Sequence, residues 1–126
     1  MIAFSTNGCN NNGGSAISSS ISFPFVIPID KEIESLQNYL ELEQLRFHDK
    51  FDFKIQSSES VEFNMGLPPL LIQPFVENAI LHGVVPKEGN GTIIVDFDVQ
   101  NNQLVCTIWD NGIGITILLI DFFIEF

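Results

Sequence analysis

Cations are the rarest chemical feature of this chain. Five Lys and Arg stand against 16 Asp and Glu over 126 residues, a formal net charge of −11. Lys31, Arg46, Lys50, Lys54 and Lys87 are scattered, so no basic patch can be assembled and nucleic-acid binding through phosphates is disfavoured. An anionic small ligand would have to be held by a metal ion, backbone N–H groups or a helix N-terminus. Cysteine is nearly as scarce. Cys9 in a polar segment and Cys106 in an apolar one make no disulfide framework, so a reducing compartment is the default. No basic region followed by a long apolar run reads as a secretory signal. No apolar stretch reaches the ~18–20 residues of a spanning helix. What remains is a globular composition, 45 % hydrophobic with 12 Phe beside a single Trp and a single Tyr, enough for one domain with a modest core.

Along the chain, residues 1–22 are rich in Asn, Gly and Ser without an apolar period and read as a flexible tail. The prolines of the Ser22–Ile29 segment disfavour helix. Asp30 is a candidate N-cap, and Glu32 and Glu34 suit the positive end of a helix dipole. That helix should run to about Phe47, with Ile33, Leu36 and Leu40 as its apolar stripe and Tyr39, Leu42 and Leu45 widening it. Glu43 and Arg46 read as a solvated pair. Phe51–Ile55 alternates as a half-buried strand, and Val61–Met65 is a weaker strand candidate. Pro68-Pro69 should open a second helical region, regular from about Pro74, and Gly83 can close it. Gly91–Val99, a turn at Asn101-Asn102 and Leu104–Trp109 predict a hairpin. This order of elements predicts an α+β two-layer sandwich.

Two segments carry the candidate chemistry. In Pro74-Phe-Val-Glu77-Asn78-Ala79-Ile-Leu-His82-Gly83, helical spacing puts Asn78 and His82 on one face, while Leu71, Phe75, Ala79 and Ile80 can supply a separate apolar face. In Asp110-Asn-Gly112-Ile-Gly114, an acid ends an apolar strand and enters a glycine-rich turn. An amide oxygen can hold magnesium, a buried carboxylate can accept a hydrogen bond from an adenine amino group, and glycines let the backbone approach a base. Taken alone, Asp-Asn-Gly is more simply a hairpin turn; with the upstream helix it reads as half of a nucleotide site. Cys106 and Trp109 read as packing residues.

Ile29–Phe47, Leu67–Gly83 and Trp109–Gly114 together resemble the LytS/YehU-type sensor histidine kinases, over the start of their ATP-binding catalytic domain, about residues 24–115 here. The resemblance implies the Bergerat (GHKL) sandwich. It implies ATP and Mg2+ as ligands, with Asn78 matching the asparagine that coordinates the metal. Asp110 matches the aspartate that recognises the adenine amino group, and Gly112 and Gly114 match glycines lining the adenine pocket. Glu77 matches an acid that orients the attacking group, and His82 a basic position near the phosphates, so both are candidate catalytic residues. It further implies phosphoryl transfer from ATP to a histidine, a response regulator as partner of the full-length kinase, and a place on the cytoplasmic side of a membrane-anchored protein.

The chain also departs from the family. No upstream helix with a phosphoacceptor histidine is read, and His48 and His82 lie in the wrong context for that role. Past Gly114, residues 116–126 are dominated by Ile, Leu and Phe where the family has an ATP lid and a second glycine motif. The expectation is therefore a truncated domain whose ending replaces the lid, with weak adenine recognition and no catalysis. That apolar ending could cover a sheet edge as a strand or helix, or cause self-association if unburied. A hydrolytic ATPase of the gyrase type fits less well, because its general base would fall at Pro74. A non-enzymatic interaction module is the remaining alternative.

Overall fold

The computed structural model describes residues 2–10, 13–21, 26–62, 65–113 and 116–123. Strands β1 (Ile2–Asn10) and β2 (Gly13–Ile21) form an antiparallel hairpin. They are followed by β3 (Ile27–Pro28), α1 (Ile29–Arg46), β4 (Phe51–Ser57), β5 (Gly66–Leu67) and α2 (Gln73–Ala79). A π-helical turn, Ile80–Val84, continues α2, and β6 (Gly91–Gln100), β7 (Gln103–Asp110) and β8 (Thr116–Phe123) complete the chain. One sheet has the order β2-β1-β8-β7-β6-β4, and β3 and β5 form a small second ladder. The helices lie on the main sheet, so the expected α+β two-layer sandwich is the observed fold. Among the described residues, no helix is long and apolar enough to cross a membrane.

The core explains which elements form. β6 alternates buried and half-buried residues along its length, with Ile93, Val95 and Phe97 fully buried, and β7 places Leu104, Cys106 and Ile108 beside them. From the helices come Ile29, Leu36 and Leu40 of α1 and Val76 and Ala79 of α2, with Ile72, Ile80 and Val84 at its flanks. The β6–β7 hairpin turns on Asn101 and Asn102, both with positive φ (52° and 61°), the backbone a two-residue turn of this hand requires. β4 pairs with β6 in parallel, which requires a crossover, and α2 lies within it.

Several expectations change. Asp30 does not cap α1: Pro28 is the N-cap residue and the helix begins at Ile29, whose N–H donates to the Met65 carbonyl at 2.7 Å. The bond to Met65, next to the β3–β5 ladder, ties down the first N–H of the helix, and no side chain caps it. Leu42 and Leu45 do not widen the buried stripe; they are 64 % and 72 % exposed. Their arc of α1 turns past the sheet, and Glu32 is buried instead, at 2 %. Glu43 pairs with Arg46 at 3.5 Å, but its own side chain is only 13 % exposed. Val61, Glu62 and Met65 are not strand residues, and the middle of that candidate lies outside the described residues.

Residues 1–22 were read as a tail for want of an apolar period, yet β1 and β2 pair from Ile2↔Ile21 to Asn10↔Gly13. β1 also pairs with β8, from Phe4↔Phe122 to Cys9↔Ile117. Ladder bonding satisfies backbone groups whatever the side chains, so a polar segment can form strands once a neighbouring edge is offered. That edge is β8, which pairs with β7 on its other side. Of the two alternatives for the apolar ending, residues 116–123 take the strand.

Candidate functional site

α2 owes its start to proline. Pro68 and Pro69 precede a turn in which Leu70 adopts φ 59°, and Pro74 sits in the first helical turn, where an N–H has no intrahelical acceptor. The stripe Ile72, Val76 and Ala79-Ile80 fixes the helix on the sheet. After Ala79 the helix widens, and the Val85 N–H reaches the Ile80 carbonyl at 3.0 Å. Single π turns of this sort recur at functional sites. Here the turn carries His82 and Gly83, so Gly83 does not close the helix as its position suggested.

The role of Gly83 is close approach. A Cβ there would lie 2.7 Å from Asp110 Oδ1, and a Cβ on Gly112 would lie 2.2 Å from the Gly83 carbonyl carbon. The Asp110–Gly112 turn thus packs backbone against backbone on the π turn, and the Ile113 N–H donates to the Gly83 carbonyl at 3.1 Å. Side chains on either glycine would push the two halves apart.

Between them lies a cavity of about 330 Å³ lined by Phe75, Asn78, Ala79, His82, Gly83, Ile108 and Asp110. Asp110 is 3 % exposed. Burial raises the pKa of its carboxyl, and the Gly112 N–H, donating to Oδ1 at 3.0 Å, opposes that rise. Phe75, Ala79 and Ile108 give apolar walls, while Asn78 and His82 place an amide and an imidazole on the helix side. A largely apolar cleft with a few convergent polar groups is the usual form of a small-molecule site.

Of the candidate site residues, the structure brings Asn78, His82 and Asp110 together around one cavity, with Gly112 against its rim. Glu77 is exposed and is not among the lining residues. It is close enough to α1 for its charge to act on Tyr39, whose phenol is pushed up to about 12 by burial first and then by Glu43 and Glu77. Gly114 lies outside the described residues. Phe75 and Ala79 were assigned to a face separate from Asn78 and His82; both line the same cavity. Ile108 was not identified as a site residue, although its place two residues before Asp110 puts it on the same strand face.

A mixed sheet carrying helices, with a cavity between a helix and a strand-end glycine turn, is an α+β sandwich also found in a solved histidine kinase catalytic domain. The solved catalytic domain of histidine kinase ThkA, in nucleotide-free form, superposes with a TM-score of 0.56 over 82 % of this chain and 95 % of that one, at 10 % identity. Sensor histidine kinase YpdA of Escherichia coli is 39 % identical over 89 residues, 71 % of this chain and 15 % of the relative. Sensor protein LytS of Oceanobacillus iheyensis is 34 % identical over the same share of each chain, 71 % and 15 %. The uncharacterised protein YwpD of Bacillus subtilis is 41 % identical over 86 residues, 68 % of this chain and 30 % of that protein. No protein-family model matches. Through this shared region the chain is homologous to the LytS-type sensor histidine kinases, and it spans 15 % of the length of its YpdA and LytS relatives.

Proposed function

We propose that the cavity binds the adenine end of ATP and that the chain is part of the nucleotide-binding unit of a sensor histidine kinase. Residues 23–115 form that unit, and β1, β2 and β8 extend its sheet. The observation that carries the reading is Asp110: a carboxyl 3 % exposed at the floor of an apolar-walled cavity, with one oxygen held by Gly112. Burying such a group costs free energy unless a donor meets it, and an adenine amino group is a donor of the right kind. Gly112 and Gly114 line the base in this reading. His82 lies toward the phosphates, and Glu77, outside the cavity lining, orients the attacking group.

Magnesium fits in a restricted way. Among the described residues, no three His, Cys, Asp or Glu side chains cluster as a metal site. The chain would contribute the Asn78 amide oxygen, with phosphate oxygens and water completing the shell, which is how magnesium is commonly held beside nucleotides. When bound, the ion supplies charge neutralisation on the phosphates. In the whole kinase the proposed reaction moves the γ-phosphoryl group from ATP to a histidine and then to a response regulator, on the cytoplasmic side of a membrane. Self-association would not use β8 as a free edge, since its backbone is paired on both sides.

The test is calorimetric titration of ADP and ATP, each with magnesium, on wild type and Asp110→Ala. Saturable binding that is lost in the variant is the expected result. An unchanged affinity in Asp110→Ala, or no binding by a folded wild type, would overturn the reading.

A further inference from the structure

The turn after β7 leaves the sheet ladder, and each of its backbone groups needs a new partner. The Asn111 N–H donates to the Thr92 carbonyl at 3.3 Å, and the Ile113 N–H to the Gly83 carbonyl at 3.1 Å. The Asn111 side chain accepts from the Thr92 N–H at 2.6 Å, and Gly112 donates to Asp110 at 3.0 Å. The Asn111 carbonyl is met by a side chain, the Lys87 ammonium, at 2.7 Å. Lys87 is itself held in place. Its N–H donates to the Val84 carbonyl at 3.3 Å, and its carbonyl accepts from the Lys50 ammonium. Lys50 in turn is anchored where β4 begins, its carbonyl accepting from Gly91 at 3.0 Å.

This use of charge is unusual for so acidic a chain. With 16 carboxylates and five cations, two of the cations donate in series to backbone carbonyls beside the cavity. By contrast, Lys31 and Arg46 pair with acids on α1. A hydrogen bond from an ammonium group is stronger and more directional than a solvated ion pair. Lys87 also spans the two halves of the site, because it lies three residues past the end of the π turn and reaches the Asp110–Gly112 turn.

We propose that Lys87 is a positioning residue of this site: with its own backbone fixed by Lys50, it holds the Asn111 carbonyl and thereby seats the Asp110–Gly112 turn on Gly83. It acts through the turn and touches no ligand. The consequence for nucleotide rests on the reading proposed above; the consequence for the turn does not.

The experiment is amide hydrogen exchange on the full chain, wild type against Lys87→Met and Lys87→Arg, joined to ADP titration. In Lys87→Met, the Gly112 and Ile113 amides are expected to exchange about tenfold faster, the factor that loss of a charged hydrogen bond gives. The β6 and β7 amides at Val95, Phe97, Cys106 and Ile108 should keep their protection. Lys87→Arg, which can still donate to the carbonyl, should restore slow exchange. ADP affinity should fall about three- to tenfold in Lys87→Met and recover in Lys87→Arg. Unchanged exchange at the turn would overturn the proposal, as would acceleration throughout the sheet, or ADP binding as tight in Lys87→Met as in wild type. A wild type that binds no nucleotide removes the functional reading alone, and the exchange result still decides the role of Lys87.

Discussion

Two carboxyl groups lie buried among the described residues, Glu32 at 2 % and Asp110 at 3 % exposure, and they differ in what faces them. Asp110 opens on the cavity. Glu32 sits within the core, where its Oε2 has no hydrogen-bond partner. Burial raises the Glu32 pKa above its ordinary 4.5, and the backbone amides of Leu70 and Ile72 only partly offset this. The sign follows from proton counting. Between the ordinary and the raised value the native state holds more protons than the unfolded state. The stabilising contribution is therefore complete below pH 4.5 and is lost as pH rises through the folded-state value. Each group of this kind can lower stability by up to about 1.4 kcal/mol per pH unit in that window. Urea melts from pH 4.5 upward should show wild type losing stability faster than Glu32→Gln. Parallel curves would mean that Glu32 does not titrate in the folded protein over this range. Asp98 acts in the opposite sense: Ser58, Gln100, Val99 and Ser60 hydrogen-bond it and hold it at about 2, so its contribution fades as pH falls toward that value. At the glycines the limit is steric. Gly112→Ala would drive a Cβ to 2.2 Å from backbone, which cannot rotate away as a side chain can. A loss of about 1–3 kcal/mol in urea melts is expected, together with loss of ADP binding. A variant as stable as wild type would mean the two turns separate freely.

At the scale of elements, burial divides α1 along its length. Leu36 and Leu40 are 2 % and 0 % exposed, whereas Leu45 is 72 % exposed. Leu40→Ala should cost about 2–5 kcal/mol and Leu45→Ala under about 0.5 kcal/mol, read from midpoints of chemical unfolding. Similar losses at both positions would show that the outer arc of α1 is covered in solution. This contrast also marks where sequence reading stops. The span of α1, the alternation of β4, the Asn101-Asn102 turn and the place of Pro74 follow from local rules, and each was legible. Whether Leu36 or Leu45 meets the sheet is decided by a partner far away in sequence, and both satisfy a helical stripe. β1 and β2 escaped notice because backbone ladders impose no pattern on Ser, Asn and Gly. The site divides in the same way. Helical spacing put Asn78 beside His82, and the end of an apolar strand singled out Asp110. The π turn, the contact of Gly83 with Gly112 and the reach of Lys87 to Asn111 exist only once the two segments meet. A glycine one residue after His82 looks like a helix terminator until the group it must not touch is known.

The whole molecule sets an electrostatic problem for its ligand. With a net charge of −11, the summed field repels any anion, and at ~0.01 M ionic strength it reaches ~30 Å from the surface against ~8 Å at 0.15 M. Lys50 and Lys87, the cations that brace the site, each give a donor to a backbone carbonyl, and in the proposed reading the apolar walls and Asp110 hold the base. Two consequences follow for the intact chain. Its melting temperature should rise between ~0.01 M and ~0.15 M NaCl, because screening relieves self-repulsion in the compact state. Magnesium-free ADP should also bind more tightly at the higher salt, the reverse of what a cation-lined phosphate site shows, since salt there weakens attraction. Adding magnesium should flatten this dependence by cancelling charge on the phosphates. Magnesium-free ADP binding that weakens as salt rises would place a cation of this chain directly on the phosphates.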